Sequence, residues 1–242
     1  MAYFDDARDL VAHATEKLAE LREAYDQSLR EQSVKRTLLI EIKNLMENLR
    51  SALDFSAHGL FDKYGQSSKG TVKAYFPYAR LSQTQAEFQA SQRIETCIPG
   101  LSASRPDIVT KLESYQHYAH PENRWLPLFM ELNNENKHER LTPQTSEEKR
   151  QLKLESGGAA ISMGPGTSIH MGRGASIRMG NMLIPGGQKI SPSSPARYLG
   201  RGTQTVTIWV SFRFEANGEL VMPFLENAVK KTNRIVSELG SL

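Results

Sequence analysis

The stretch SMGPGTSIHMGRGASIRMGN, residues 162–181, repeats its own pattern every eight residues. Each repeat carries an isoleucine, a methionine two residues later and then a glycine, at Ile161, Met163 and Gly164, Ile169, Met171 and Gly172, and Ile177, Met179 and Gly180. Eight residues are too few for an ordinary solenoid coil. The repeat therefore predicts an antiparallel β-meander of strands AAISM, TSIHM and ASIRM, joined by the loops GPG and GRG.

Side chains of a β-strand alternate between its two faces, so the repeat also predicts which residues are buried. The isoleucines and methionines share one face, and Ser162, His170 and Arg178 share the other. The glycines do not follow the spacing of a phosphate-binding loop, and no strand-to-helix transition follows them. Their predicted role is to form turns, and any function of this segment belongs to its outward face.

Upstream of the repeat the chain reads as helical. Residues 2–58 contain neither glycine nor proline, and their apolar residues recur at spacings of three and four. This pattern predicts two long amphipathic helices that form an antiparallel hairpin with a break near residues 30–34. Further helices are expected at 82–97, 105–118 and 124–140, with Pro143 after the last of them.

Downstream of the repeat, residues 203–214 (TQTVTIWVSFRF) alternate as a strand, and Asn217 with Gly218 is a signal for a type I′ hairpin. Pro223 opens a last helix. The predicted fold class is α+β: a mainly α-helical bundle with a long N-terminal hairpin and an inserted antiparallel β-meander before a C-terminal helix. The predicted bounds are 1–142 for the bundle, 143–222 for the β-subdomain and 223–242 for the returning helix.

Charge is unevenly distributed along the chain. Residues 149–214 hold nine bases and one acid, a net charge of +8, so the remainder of this +3 chain carries −5. Such asymmetry favours a polyanionic partner such as RNA for the basic segment. The candidate nucleic-acid-binding residues are His170, Arg173, Arg178, Lys189, Arg197 and Arg201.

Composition argues against several other classes of protein. Cys97 is the single cysteine, which excludes an intramolecular disulfide and fits a reducing compartment. No apolar run has the length of a membrane span, and no signal peptide is apparent, so we expect a cytoplasmic protein. His117 with His120 and Glu135 with His138 supply too few ligands for a di-iron bundle, so neither a metal nor a cofactor is predicted.

The run NNENKH at residues 133–138 places amides, a lysine and a histidine at the end of an otherwise apolar helix. At 100° per residue, Asn136 aligns with Trp125 and Phe129, whereas Asn134 and His138 lie on the opposite side. Two interpretations remain open here. The run is either a buried amide network that fixes helix register or a functional site.

This run resembles the late-helix motif R-N-x-x-x-H of the HEPN superfamily, helical nucleotide-binding and ribonuclease domains of bacterial toxins and defence systems. Asn134 and His138 match the motif asparagine and histidine, and Asn133 stands where the arginine would be. The resemblance covers residues 1–142 and the last helix. It implies a helical bundle acting on RNA, in which Asn133, Asn134 and His138 form the catalytic position and Arg50, on an earlier helix, supplies the missing positive charge.

Three functions follow from these observations. The favoured one is a non-catalytic HEPN-like bacterial protein that binds RNA or another polyanion in stress or phage defence. The first alternative is a metal-independent endoribonuclease that uses His138. The second is a structural module that self-associates as a homo-oligomer.

Overall fold

The computed structural model describes residues 2–31, 35–66, 73–138 and 144–242; the side chains of 29–31, 136–138, 146 and 208–210 are outside that description. The predicted α+β class is confirmed. The chain forms two compact units, a helical unit of Met1–Thr145 with Phe212–Leu242 and a β-unit of Ser146–Ser211. The β-unit is thus inserted in the helical unit's sequence and is shorter at both ends than the predicted 143–222. None of the described helices is long and apolar enough to cross a membrane.

Three long helices form the centre of the helical unit: α1 (Ala2–Glu31), α2 (Arg36–Tyr64) and α8 (Val221–Gly240). The predicted helical hairpin is confirmed, and its predicted break at 30–34 falls largely on residues outside the description. Each helix buries an apolar stripe against the other two, which removes that surface from water and provides the main favourable free energy of folding. The start of α1 packs on the end of α2, where the Phe4 ring lies against Gly59.

Short helices connect α2 to α8: α3 (Gln85–Ala90), α4 (Arg93–Cys97), α5 (Leu101–Ser104), α6 (Pro106–Ser114), a 3₁₀ turn (Pro121–Arg124) and α7 (Trp125–His138). The single helix expected over 82–97 is wrong, because Gln92 adopts a left-handed conformation (φ 49°) between α3 and α4. Such a residue interrupts the helical hydrogen-bond ladder. The helix expected at 105–118 ends at Ser114, and the remaining residues form turns.

A charged cluster fastens α6 to α8. The Glu238 carboxylate accepts hydrogen bonds from Arg234 and from the Tyr115 hydroxyl, each at 2.7 Å, and pairs with Lys111 at 2.7 Å. Burial by itself raises the pKa of Glu238, but these three donors outweigh it and lower the pKa to about 2. Glu238 therefore remains ionised, and the cluster intact, at any ordinary pH.

The β-unit and its two flanks contain eight strands: β1 (Gln144–Ser156), β2 (Ala159–Met163), β3 (Ile169–His170), β4 (Ser176–Met179), β5 (Met182–Pro185), β6 (Lys189–Ile190), β7 (Leu199–Gly200) and β8 (Thr203–Phe214). They form three sheets, in the orders β2-β1-β8, β3-β6 and β4-β5-β7. The three repeats therefore do not pair with one another. The predicted meander is wrong, and each repeat contributes one strand to a different sheet.

Turn geometry explains this difference. In the turns Gly164–Thr167 and Gly172–Ala175 the positive φ falls on the third residue, at Gly166 (74°) and Gly174 (92°), as in a type II turn. Turns of this type splay the flanking strands, whereas types I′ and II′ match their twist. The strands that do pair locally have the matching turns, with positive φ at both Gly157 and Gly158 between β1 and β2 and at Gly180 between β4 and β5.

The burial predicted from the repeat is confirmed. Met163, Met171 and Met179 are buried in one core, the three repeat isoleucines pack partly buried against it, and Ser162, His170 and Arg178 are exposed. The core also contains buried residues from elsewhere in the β-unit: Leu152, Leu154, Met182, Ile184, Ile190 and Ala196. Side-chain alternation thus holds in every repeat although the strand partners differ.

The end of β8 belongs to the helical unit. The rings of Tyr25 and Phe212 form a T-shaped pair with centroids 5.5 Å apart, and the Phe212 N–H donates to the Tyr25 hydroxyl at 3.0 Å. The rings of Phe214 and Phe224 form a second T-shaped pair. The predicted type I′ turn at Asn217 and Gly218 is wrong, because only Gly218 has a positive φ (72°) and the bridge that closes the loop joins Arg213 to Leu220. A wider loop therefore leads into α8.

The repeat turns predict different effects for two neighbouring glycines. Gly174→Ala should destabilise the β-unit by about 1 kcal/mol, because an alanine is strained at a positive φ. Gly172→Ala is the matched control, since Gly172 has no positive φ and an added Cβ would meet no atom within 4 Å. Urea unfolding followed by circular dichroism measures both. Equal midpoints for the two variants would contradict the turn assignment.

Candidate functional site

The structure buries Asn133, the residue that stands at the arginine position of the HEPN-like motif. Asn133 is fully buried on α7, and its side-chain amide donates a hydrogen bond of 2.9 Å to the carbonyl oxygen of Phe129. Its Oδ1 has no hydrogen-bond partner among the described residues. A side chain in this position is inaccessible to a substrate, so we assign Asn133 to the core of the bundle.

The other two motif residues are Asn134 and His138, and the structure describes the side chain of Asn134 only. Asn134 is exposed on α7. The backbone of His138 ends α7, but its side chain lies outside the described residues, as do those of Asn136 and Lys137. The predicted inward orientation of Asn136 and the predicted proton transfer by His138 therefore stay predictions.

Arg50 lies between α2 and α7 rather than at the end of α7. Its side chain is 15% exposed, pairs with Asp54 at 3.2 Å and contacts the sulfur of Met130 at 2.8 Å. Its guanidinium also lies 5.8 Å from the centre of the Tyr78 ring. Met130 precedes His138 by eight residues, about 12 Å along a helix axis. The positive charge of Arg50 is balanced by Asp54, and its side chain packs against Met130 and Tyr78.

Asp54 has a second role that the sequence pattern did not indicate. Its Oδ1 accepts the backbone N–H of Phe76 at 2.8 Å, within an extended segment, residues 73–80, that belongs to no sheet. Gln116 holds the same segment, because its side chain accepts from Ala79 N at 2.8 Å and donates to Pro77 O at 3.2 Å. These side chains provide the backbone partners that a neighbouring strand would otherwise supply. Helical i, i+4 ion pairs usually lie on a solvated surface. The Arg50–Asp54 pair is instead partly buried and anchors the extended segment 73–80.

This anchor predicts a difference between two substitutions at Asp54. Asp54→Asn retains an oxygen for the Phe76 N–H and loses only the ion pair, whereas Asp54→Ala leaves a partly buried donor without a partner. We expect Asp54→Ala to be less stable than Asp54→Asn by about 1–3 kcal/mol. Asp5→Ala is a control, because the Asp5–Arg8 pair is exposed and should contribute little. Equal unfolding free energies in urea for both Asp54 variants would contradict the anchor.

The bases of the β-unit fall into two groups. Three are paired with acids two residues away, Lys149 with Glu147, Arg150 with Glu148 and Lys153 with Glu155. The others are exposed and have no acid partner among the described residues: Arg173, Arg178, Lys189, Arg197 and Arg201. These five, with the exposed His170, are the six residues that the charge pattern indicated.

The structure brings four of the six together around one short segment. His170 lies directly opposite Lys189 in the β3–β6 ladder. The next residue back, Gln188, exchanges two hydrogen bonds of 2.9 Å with the backbone of Arg197. The Arg173 side chain runs beside Gly187. Residues 187–189 therefore bring Lys189 together with His170, Arg173 and Arg197.

The remaining two cations lie on another ladder. Arg178 is on β4, in register with Leu183 of β5, which in turn pairs with Leu199 of β7. Arg201 follows β7, and its N–H donates to Asn181 in the β4–β5 turn at 3.1 Å. Leu199 is 63% exposed on this sheet. His170 and Lys189 thus lie on one sheet and Arg178 on another, while Arg173, Arg197 and Arg201 lie outside the strands.

Comparison of the chain with family models, with curated proteins and with solved structures finds no match. Among the described residues, no three histidine, cysteine, aspartate or glutamate side chains are grouped so as to hold a metal ion.

Proposed function

We propose that the chain binds RNA, or another polyanion, through the exposed cations of its β-unit and does not cleave it. The observation that carries this proposal is the group of five unpaired cations, Arg173, Arg178, Lys189, Arg197 and Arg201, on a unit with eight bases and three acids. Cations already paired with carboxylates contribute little attraction, whereas unpaired ones release counterions from a nucleic acid when they bind phosphates. This net charge of +5 stands out in a chain of +3.

Two features of the helical unit support binding without cleavage. Asn133 is buried where the HEPN-like motif has its arginine, and the Arg50 guanidinium is balanced by Asp54. Cleavage of a phosphodiester develops negative charge that a free, preorganised cation must stabilise. The resemblance to HEPN bundles supports RNA as the ligand and a place in bacterial stress or defence. We accordingly place the protein in the cytoplasm.

Salt dependence tests this proposal directly. Titration of labelled single-stranded RNA at several salt concentrations should show log K falling linearly with log salt. The slope is about 0.7 for each phosphate neutralised, hence at most about 3.5 for five cations. Binding that is absent at low salt, or that does not respond to salt, would contradict the proposal.

A pair of double variants provides a matched control for net charge. Arg173→Gln with Arg197→Gln should reduce the salt slope by about 1.4. Lys17→Gln with Lys43→Gln removes the same charge from helical-unit lysines that pair with Glu20 and Glu47, and should leave the slope unchanged. The RNA should stay intact throughout. Cleavage by the wild type that is lost in His138→Ala would replace the binding function with the endoribonuclease.

A further inference from the structure

The outer face of the β3–β6 ladder carries four polar side chains. Ile169 pairs with Ile190 and His170 with Lys189, and extending this register by one residue places Ser168 opposite Ser191. The two isoleucines face the core, where Ile190 is fully buried. Because residues two apart share a face, His170 and Lys189 lie on the side away from the core, and continued alternation predicts the same side for Ser168 and Ser191, just beyond the strands. In the sequence this face corresponds to the alternations S-I-H at 168–170 and K-I-S at 189–191.

A cleft of about 300 Å³ adjoins this face. It is lined by residues 165–168, by residues 191–193 and by Lys189, Glu148 and Arg150. The hydroxyls of Ser168 and Ser193 make no hydrogen bond to any described residue. Ser191 Oγ accepts the Ser194 N–H at 3.0 Å, so its own proton is free to be donated. The cleft therefore offers three hydroxyl donors.

The charge of the cleft is positive and arises from one residue. Arg150 and Glu148 pair with each other within the lining, which leaves the exposed Lys189 ammonium without an acid partner among the described residues. His170 is the register partner of Lys189 in the β3–β6 ladder and is itself outside the lining of the cleft. A cation surrounded by hydroxyl donors is suited to an anion with several acceptor oxygens.

We infer that this cleft binds a phosphate group, with Lys189 as the charged contact and Ser168, Ser191 and Ser193 as hydroxyl donors. Among the side chains that the structure describes, no aromatic one lines the cleft, and they therefore offer no surface on which a base would stack. Recognition here is of phosphate and independent of sequence. The inference deepens the proposed function and rests on it where the phosphate belongs to RNA; a free phosphate ion or monoester has the same chemistry.

Two single substitutions that remove the same charge test the role of Lys189. Lys189→Gln should weaken RNA binding about tenfold, because it removes a charge-assisted hydrogen bond to phosphate. Arg178→Gln is the control, because Arg178 is exposed and unpaired like Lys189 but lies on the β4–β5 ladder, outside the lining of the cleft. Its effect should be smaller, about twofold, because the cleft's hydroxyl donors do not hold the phosphate that Arg178 contacts. Equal losses from both variants would overturn the inference while leaving the proposed function in place.

A second experiment uses inorganic phosphate and does not depend on RNA. Nitrogen-15 spectra of the whole chain, titrated with phosphate, should show shifts concentrated at residues 166–168 and 189–194. The double variant Ser168→Ala with Ser193→Ala retains every charge and should lose most of these shifts. Absent shifts, or shifts spread equally over Arg178 and Arg201, would overturn the inference.

The two experiments together separate the two sources of phosphate. Shifts from inorganic phosphate in a chain that does not bind RNA would establish the cleft with a free phosphate or monoester as its ligand and would contradict the proposed function. RNA binding that is weakened in both Lys189→Gln and the double serine variant would establish the phosphodiester as the ligand. RNA binding that is indifferent to the double serine variant would overturn the role of the hydroxyls in the cleft.

Discussion

The burial of one methionine from each eight-residue repeat is the constraint on which the β-unit depends. Met163, Met171 and Met179 share a single core. Because side chains alternate along a strand, the residue before each methionine must then face outward, and these residues are Ser162, His170 and Arg178. A core made by methionine tolerates irregular geometry, since its side chain is flexible and fills uneven space. The same packing that stabilises the unit therefore presents its polar residues to solvent.

In the helical unit, by contrast, two of the candidate residues predicted from the sequence, Arg50 and Asn133, have structural roles. Asp54 and Gln116 satisfy the backbone of an extended segment, Arg50 balances Asp54, and Asn133 is enclosed in the core. A buried polar group costs free energy unless it is hydrogen-bonded, so such residues are held in structural roles. This contrast is why the proposed function is placed on the β-unit and not on the motif at the end of α7.

Local patterns predicted the fold class, the helical hairpin and the buried face of each repeat, because periodicity reports which face of an element meets the core. They did not predict strand partners, since a period of two leaves the pairing open and the turn type decides it. The left-handed conformation of Gln92 has no signal in the periodicity, and the anchoring role of Asp54 depends on Phe76, 22 residues away in the sequence. The charge pattern identified all five unpaired cations, but the cleft that brings Lys189 together with Ser168, Ser191 and Ser193 became apparent only from the structure.

The arrangement of the repeats can be measured directly by nuclear Overhauser contacts between backbone protons in the labelled chain. We predict one cross-strand contact in each of three ladders: residue 161 with 154 between β2 and β1, 169 with 190 between β3 and β6, and 177 with 184 between β4 and β5. Contacts that run instead from one repeat to the next, joining strand 159–163 to 169–170 and the latter to 176–179, would contradict it. They would restore the meander and remove the face on which His170 and Lys189 meet.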